Sequence, residues 1–256
     1  MKVSFMVPKK YWSLAKKYSD YYLVLAHWIT NEDADMFRGK YVVLDNGAYE
    51  LGKSVDFDVY NNVIEIFKPN EIILPDHRFC AQETMDLARD FLHRFYDERY
   101  KYVGAVQGKE WDEWFQCYKY FSSHRKIDVI GITDVPTYPT SEADLYQKST
   151  VVFSRVFMLR WLDQQGLLIK PIHILGSIDP IELPFLAEFK KVEKTDSKIA
   201  FWNGVHLDKL SLKTGLRRGS QKHEGMDWNF SDKLSWRQRR IIYHNMKVFR
   251  KLANGG

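Results

Sequence analysis

Acids and an amide recur where apolar runs end. Tyr41-Val42-Val43-Leu44 stops at Asp45-Asn46-Gly47, Glu71–Leu74 leads to Asp76, and Tyr102–Val106 leads to Gln107 and Gly108. Val129–Thr133 contains Gly131 and Ile132 and runs into Asp134. Ile172–Leu175 is followed by Gly176-Ser177, and a run over residues 191–195 reaches Asp196. Any one such Asp is explained as a turn former or a helix cap. Their repetition at successive run ends points to a shared site. Carboxylates in such a set suit work at a sugar anomeric carbon beside a base. One can attack C1′ and stabilise oxocarbenium character, while another manages the proton on the leaving group. Carboxylates and Gln can also hydrogen-bond the N–H groups and carbonyl of a purine. The same acids could instead hold a divalent metal, but they stand singly in sequence and His77 has no evident partner nearby.

The runs themselves dictate the frame. Eight short apolar stretches read as strands: Val3–Val7, Tyr22–Ala26, Tyr41–Leu44, Glu71–Leu74, Tyr102–Val106, Val129–Thr133, Ile172–Leu175 and roughly Lys191–Thr195. Between them lie helical segments. Asp56–Phe67 places Val59, Val63, Ile66 and Phe67 on one face, and Ala81–Tyr96 does so with Leu87, Phe91, Leu92 and Phe95. Glu110–Phe121, Asp144–Leu168 and Ile181–Phe189 are further helices, with Asn31–Lys40 a weaker one. Alternating strand and helix implies a parallel sheet, and eight strands in about 200 residues imply a (β/α)8 TIM barrel over residues 1–204. A doubly wound sheet is the rival, but no Gly-rich phosphate loop follows the first strand. In a barrel all strand C-termini open on one face, so the run-end residues would share a rim.

The remaining residues, 205–256, read as a basic loop and a helix. They hold 12 Lys+Arg against 4 Asp+Glu, a balance of +8, whereas residues 1–204 hold 26 against 29, a balance of −3. Arg217, Arg218 and Lys222 fall in a Gly-rich loop. Ser235 should cap a helix reaching about Leu252, with Ile242, Met246 and Phe249 on its apolar side. Arg237, Arg240, His244, Lys247 and Lys251 form a basic stripe on another side. Such asymmetry suits a polyanion partner; a solvated basic surface is the plain alternative. Cys80 and Cys117 follow no metal-ligand spacing and suggest a reducing compartment. No apolar run spans a membrane and no signal peptide opens the chain, so a soluble, cytoplasmic protein is expected.

Five segments in order resemble the tRNA-guanine transglycosylase superfamily: VVLDNGAYELG, IILPDHR, YVGAVQGK, VIGITD with HILGSIDPIEL, and KTDSKIAFWNG. The likeness covers roughly residues 40–205. It implies that Asp196 is the nucleophile that displaces guanine from C1′, and that Asp45 is the acid/base. It also implies that Asp76 and Gln107, with the adjacent Asn46 and Gly108, bind the base. The backbone at Gly131 and Ile132 would add hydrogen bonds, and the Gly176 loop would shape the pocket. The tRNA enzymes follow the nucleophile with a cysteine-rich zinc site, but no cysteine occurs here after Cys117. Asn46-Gly47-Ala48-Tyr49, Lys109 and Phe201-Trp202-Asn203 also depart from the tRNA pattern. The chain looks more like the phage-type, DpdA-like 7-deazaguanine DNA transglycosylases. That likeness implies exchange of guanine in DNA for preQ0 or a relative, protecting DNA from restriction, with no cofactor and no metal. Arg217, Arg218, Lys222, Arg237, Arg240 and Lys247 would then contact DNA. Trp202, Trp228 or Trp236 could stack on or replace the lost base, with buried core aromatics the plainer reading. The same exchange on tRNA, a nucleoside or DNA glycosyl hydrolase, and a non-catalytic nucleic-acid-binding barrel are the rivals.

Overall fold

Eight strands alternate with helices in the computed structural model, which describes residues 1–133, 147–177, 179–213 and 230–255. The strands are β1 (Lys2–Phe5), β2 (Tyr22–Leu25), β3 (Val42–Asp45), β4 (Glu71–Ile73), β5 (Lys101–Val106), β6 (Val129–Ile132), β7 (Ile172–Ile174) and β8 (Val192–Ser197). The α-helices are α1 (Trp12–Ala15), α2 (Ala34–Phe37), α3 (Ala48–Leu51), α4 (Phe57–Phe67), α5 (Ala81–Phe95), α6 (Trp111–Ser123), α7 (Gln147–Gln164), α8 (Leu183–Leu186), α9 (Ile199–Val205) and α10 (Trp236–Ala253). The strands follow the order β1-β8-β7-β6-β5-β4-β3-β2 in one all-parallel, nearly closed barrel, the expected (β/α)8 class. Registers such as Val43↔Glu71, Glu71↔Lys101 and Val103↔Val129 fix neighbouring strands of this sheet. Parallel strands covered on both faces must be apolar throughout, and Val43, Leu44, Ile72, Val103, Ile130 and Ile132 are all buried.

Contacts divide the chain into two compact units, Met1–Tyr22 with Ile174–Gly256, and Leu23–His173. In the first unit β1 pairs with β8, placing Ser4 opposite Asp196. The other edge of β1 is closed by side chains: Asp20 Oδ2 accepts from Val3 N at 2.9 Å and Ser19 Oγ from Phe5 N at 3.0 Å. An unpaired strand edge invites association, and these two polar residues occupy its donors. The same Asp20 pairs with Arg250 of α10 at 2.9 Å.

The C-terminal helix starts as its sequence demands. Ser235 Oγ accepts from Gln238 N at 3.2 Å while the Gln238 side chain accepts from Ser235 N at 2.8 Å, a capping box. Ile242, Met246 and Phe249 are buried as expected, and the Phe5 and Phe249 rings meet edge-on at 5.5 Å. A Cβ on Gly204 would come within 2.3 Å of Ile242 Cγ1, so only glycine lets α9 and α10 approach this closely. Buried Asn245 ties the following loop, accepting from Leu210 N at 2.9 Å and donating to Asp208 O at 2.8 Å.

One helix is rotated relative to its expected face. In α4 the buried residues are Tyr60 and Ile64, whereas Val59 is 55% exposed. A tyrosine is dismissed by an apolarity count, yet here its hydroxyl has buried carbonyls to serve. Asp56 caps this helix, accepting from Asp58 N and Val59 N. In α5 the buried set is Ala81, Thr84, Met85, Ala88, Phe91 and Leu92, with Leu87 and Phe95 only half-buried. The segments expected at Asn31–Lys40 and Ile181–Phe189 each form a 3-10 turn followed by a single helical turn, α2 and α8. The predicted start of the long helix at Asp144 lies outside the described residues.

Candidate active site at the strand exits

Tyr60 organises the exits of β3 and β4 from below. Its hydroxyl lies 3.0 Å from Leu44 O and 2.9 Å from Ile73 O, just before the acids that those two strands deliver. Burial pushes this phenol well above its ordinary value, and the charges of Asp45 and Asp76 add to the effect. Above it, Asp45 is half-buried and its Oδ1 accepts from Gly47 N at 2.8 Å. Gly47 has φ +76, the left-handed region that favours glycine, and the His27 ring lies so close that a Cβ would come within 2.3 Å of Nδ1. The turn after β3 is therefore shaped by His27, which follows β2.

Asp76 is the centre of this unit. Its Oδ1 accepts from Asn46 Nδ2 at 2.7 Å, and its Oδ2 accepts from Gln107 Nε2 at 2.6 Å. All three side chains are buried. Asn46 also donates to Leu74 O at 2.8 Å and accepts from Ala48 N at 2.8 Å. Gln107 Oε1 accepts from Phe79 N at 3.2 Å. Ser54 clamps the backbone of Asp76, accepting from its N at 2.9 Å and donating to its O at 2.8 Å. Burial raises the Asp76 carboxyl from its ordinary value, while the amide hydrogen bonds and His77 pull it back. Each carboxylate oxygen accepts one amide and has capacity for a further donor. This is a rigid acceptor, oriented by amides from two other strand exits.

Gly108 lies under α6, where a Cβ would meet Trp114 N at 2.4 Å. Gly131 and Ile132 stand within β6 opposite Ala105 and Val106, and Thr133 Oγ1 donates to Val106 O at 2.7 Å. The structure thus brings Asp45, Asn46, Asp76 and Gln107 together. Asp134 lies outside the described residues.

In the other unit, Asp196 is 2% exposed, the penultimate residue of β8 rather than a residue beyond it. Gly176 N donates to its Oδ2 at 3.1 Å, and Ser177 N donates to its backbone O at 2.9 Å. Ser197 Oγ donates to Ser177 O at 3.0 Å, and Ser177 Oγ donates to Glu182 Oε1 at 3.1 Å. The loop after β7 is thereby fastened along the end of β8, and a backbone N–H serves the buried acid.

The chain matches no protein-family model and no curated protein. The barrel and the chemistry of its strand exits are what bear on function.

Sequence reasoning passed over three residues of this site. His27 follows β2, whose exit was not counted among the acid-bearing ones. Burial lowers its imidazole below the ordinary value, favouring the neutral ring. Ser54 and Tyr60 carry no motif signal, because their roles come from hydrogen bonds to strands distant in sequence.

Of the basic residues, Arg237, Arg240 and Lys247 are exposed on α10, as is Lys251. His244 is half-buried instead, within 3.1 Å of Leu210 O, so it leaves the stripe. Arg217, Arg218 and Lys222 lie outside the described residues, as does Trp228. Trp202 is 8% exposed and packs edge-on against Phe201 and Phe230, which makes it core rather than a stacking platform. Trp236 is 73% exposed, with the Arg240 guanidinium 5.3 Å from its ring centroid. Among the described residues no helix is long and apolar enough to cross a membrane. A cleft of about 410 Å³ lies at the N-terminal ends of β4 and β5, lined by Tyr41, Lys68, Asn70, Arg99, Tyr100 and Lys101. That is the opposite end from the exits, where barrel residues serve stability rather than chemistry.

Proposed function

We propose that this protein exchanges guanine in DNA for a 7-deazaguanine such as preQ0, through a covalent glycosyl intermediate on Asp196. The observation that carries the reading is the buried Asp76 carboxylate held between Asn46 and Gln107. A fixed acceptor with spare lone pairs suits the N1–H and 2-amino donors of a guanine ring, which present two donors side by side. The TIM barrel, whose members place their sites at strand C-termini, is consistent with it. So is the likeness of five ordered segments to guanine transglycosylases. The exposed cations of α10 favour a nucleic-acid substrate, and the lack of the tRNA enzymes' cysteine-rich cluster after the nucleophile favours DNA.

The reaction would run as two displacements. Attack by an Asp196 oxygen on C1′ forms an ester bond as the C1′–N9 bond breaks, and the electron pair leaves with guanine. Asp45 supplies the proton that guanine takes. The incoming 7-deazaguanine gives its ring N–H proton to Asp45, attacks C1′ and frees the Asp196 carboxylate. Two inversions give net retention. In duplex DNA the target nucleotide must leave the stack, because C1′ and the base edge are inaccessible within it.

Incubation with radiolabelled guanine and either DNA or tRNA tests reaction and polymer together. Label should enter DNA, and Asp196→Ala should abolish both labelling and trapping of a protein–DNA adduct. Label in tRNA alone would move the substrate to RNA, and free base without incorporation would make the protein a hydrolase. Full activity in Asp196→Ala removes that residue as the nucleophile.

A further inference from the structure

The residue after Asp76 opens a second cluster, outside the base-binding unit. His77, Cys80 and Glu83 each offer one ligand atom, and these atoms lie within 4.8 Å of one another. His77 Nε2 and Glu83 Oε2 are 3.7 Å apart. We propose that His77, Cys80 and Glu83 bind a divalent transition-metal ion of the zinc class at the start of α5.

The donor set selects the ion. One imidazole nitrogen, one thiolate sulfur and one carboxylate oxygen suit zinc or cobalt, whereas magnesium and calcium take oxygen donors. Bonds of about 2.0–2.3 Å set the ligand atoms of a tetrahedral zinc roughly 3.3–3.8 Å apart. The observed spread thus needs a contraction of about 1–1.5 Å at most. Side chains can supply it, since Glu83 is 54% and His77 39% exposed. Three protein ligands leave the fourth position to water or to a substrate group, the arrangement of an open site. On binding, the Cys80 S–H bond breaks, the sulfur keeps the electron pair for the metal, and the proton goes to solvent.

The backbone around the triad is already fixed. Phe79, between Arg78 and Cys80, has φ +61. That reversal returns the chain, so that Cys80 N donates to His77 O at 3.2 Å. Thr84 clamps His77 from α5, its Oγ1 accepting from His77 N at 3.0 Å and donating to His77 O at 3.0 Å. Phe79 N is held by Gln107. A second observation concerns the imidazole itself: His77 Nδ1 is buried and makes no hydrogen bond among the described residues. A buried polar atom left so is unusual, and a ring that rotates to ligate, or that gains a water bound by the ion, gives it one. The loop carrying Asp76 would then be anchored on both sides, by Ser54 before it and by the metal after it.

The inference stands apart from the base-exchange reading, because binding is measured without substrate. Cobalt(II) titrated into the metal-stripped protein should bind at one equivalent and give a thiolate-to-cobalt charge-transfer band in the near ultraviolet. Added zinc should displace it stoichiometrically and raise the melting temperature. Cys80→Ser should remove the band, and Glu83→Gln should weaken binding at least tenfold. Asp86→Asn, a change on the same helix outside the triad, should alter neither. Circular dichroism of each variant checks that the fold is kept. Absence of the band in wild-type protein, or its persistence in Cys80→Ser, overturns the site; Cys117, the other thiol, is fully buried in α6.

Discussion

Gly47 concentrates several demands in one residue. It must adopt φ +76, donate its N–H to Asp45, and leave room for the His27 ring. Alanine there meets a strained backbone and an imidazole only 2.3 Å from its Cβ. Left-handed backbone at a non-glycine residue costs about 1–3 kcal/mol, before the clash is counted. Gly47→Ala should therefore lower stability by at least about 1–2 kcal/mol. It should depress activity more, since the displaced turn carries Asp45 and Asn46. Chemical denaturation gives the first quantity and initial rates of base exchange the second. Gly52→Ala is the control: its φ is the same, but no described residue lies within 4 Å of its Cβ. If the two variants lose activity equally, the His27 contact does not shape the site.

At the scale of elements, the α6–β6 connection is closed by a lysine. Lys170 Nζ donates to Phe121 O at 3.0 Å, His124 O at 2.6 Å and Ile127 O at 2.6 Å, so one ammonium serves carbonyls at and beyond the end of α6. A cation at a helix C-terminus also meets the negative end of the dipole. Hydrogen bonds to charged groups contribute about 1.5–3 kcal/mol each when buried, and less at a part-buried site where water substitutes. Lys170→Met, which keeps the stem, should cost about 1–3 kcal/mol in thermal or denaturant unfolding. The variant has a second signature. His124 is held below its ordinary value first by burial and then by Lys170, Lys126 and Arg125. Removing the Lys170 charge should move its NMR titration to higher pH, and an unchanged titration would break the argument. None of these three contacts was legible in the sequence, because the carbonyls served lie more than 40 residues from the lysine. The eight strands were legible, because strands covered on both faces leave uninterrupted apolar runs such as Val42-Val43-Leu44. Asp45, Asp76 and Gln107 stood out for the same reason, as polar residues closing those runs. Tyr60 and Ser54 did not, since what assigns them is which carbonyl or acid folding brings to a hydroxyl. The misplaced face of α4 has the same cause: a tyrosine counts as polar until its partners are known.

For the whole molecule the telling quantity is charge. A net +5 combines a body at −3 with residues 205–256 at +8. Part of that excess stands on the outer side of α10, where Arg237, Arg240 and Lys247 are exposed while Ile242, Met246, Phe249 and Asn245 face inward. Because the helix is held by its inner side, its capping box and the Arg250–Asp20 pair, these three outer charges can be removed without disturbing it. Each phosphate contact releases condensed counterion and contributes roughly −0.9 to the slope of log affinity against log salt on duplex DNA. Arg237→Gln, Arg240→Gln and Lys247→Gln combined should therefore flatten that slope by about 2–3 if all three meet phosphate. Affinity should fall for every sequence alike, because phosphate contacts carry no base information. Glutamine keeps helix propensity, so the circular dichroism and melting temperature should stay near wild type. Fluorescence anisotropy of a labelled duplex at several salt concentrations reads the slope directly. A slope unchanged by the triple substitution, with binding intact, would show that DNA is held by other cations and that the stripe is only a solvated surface.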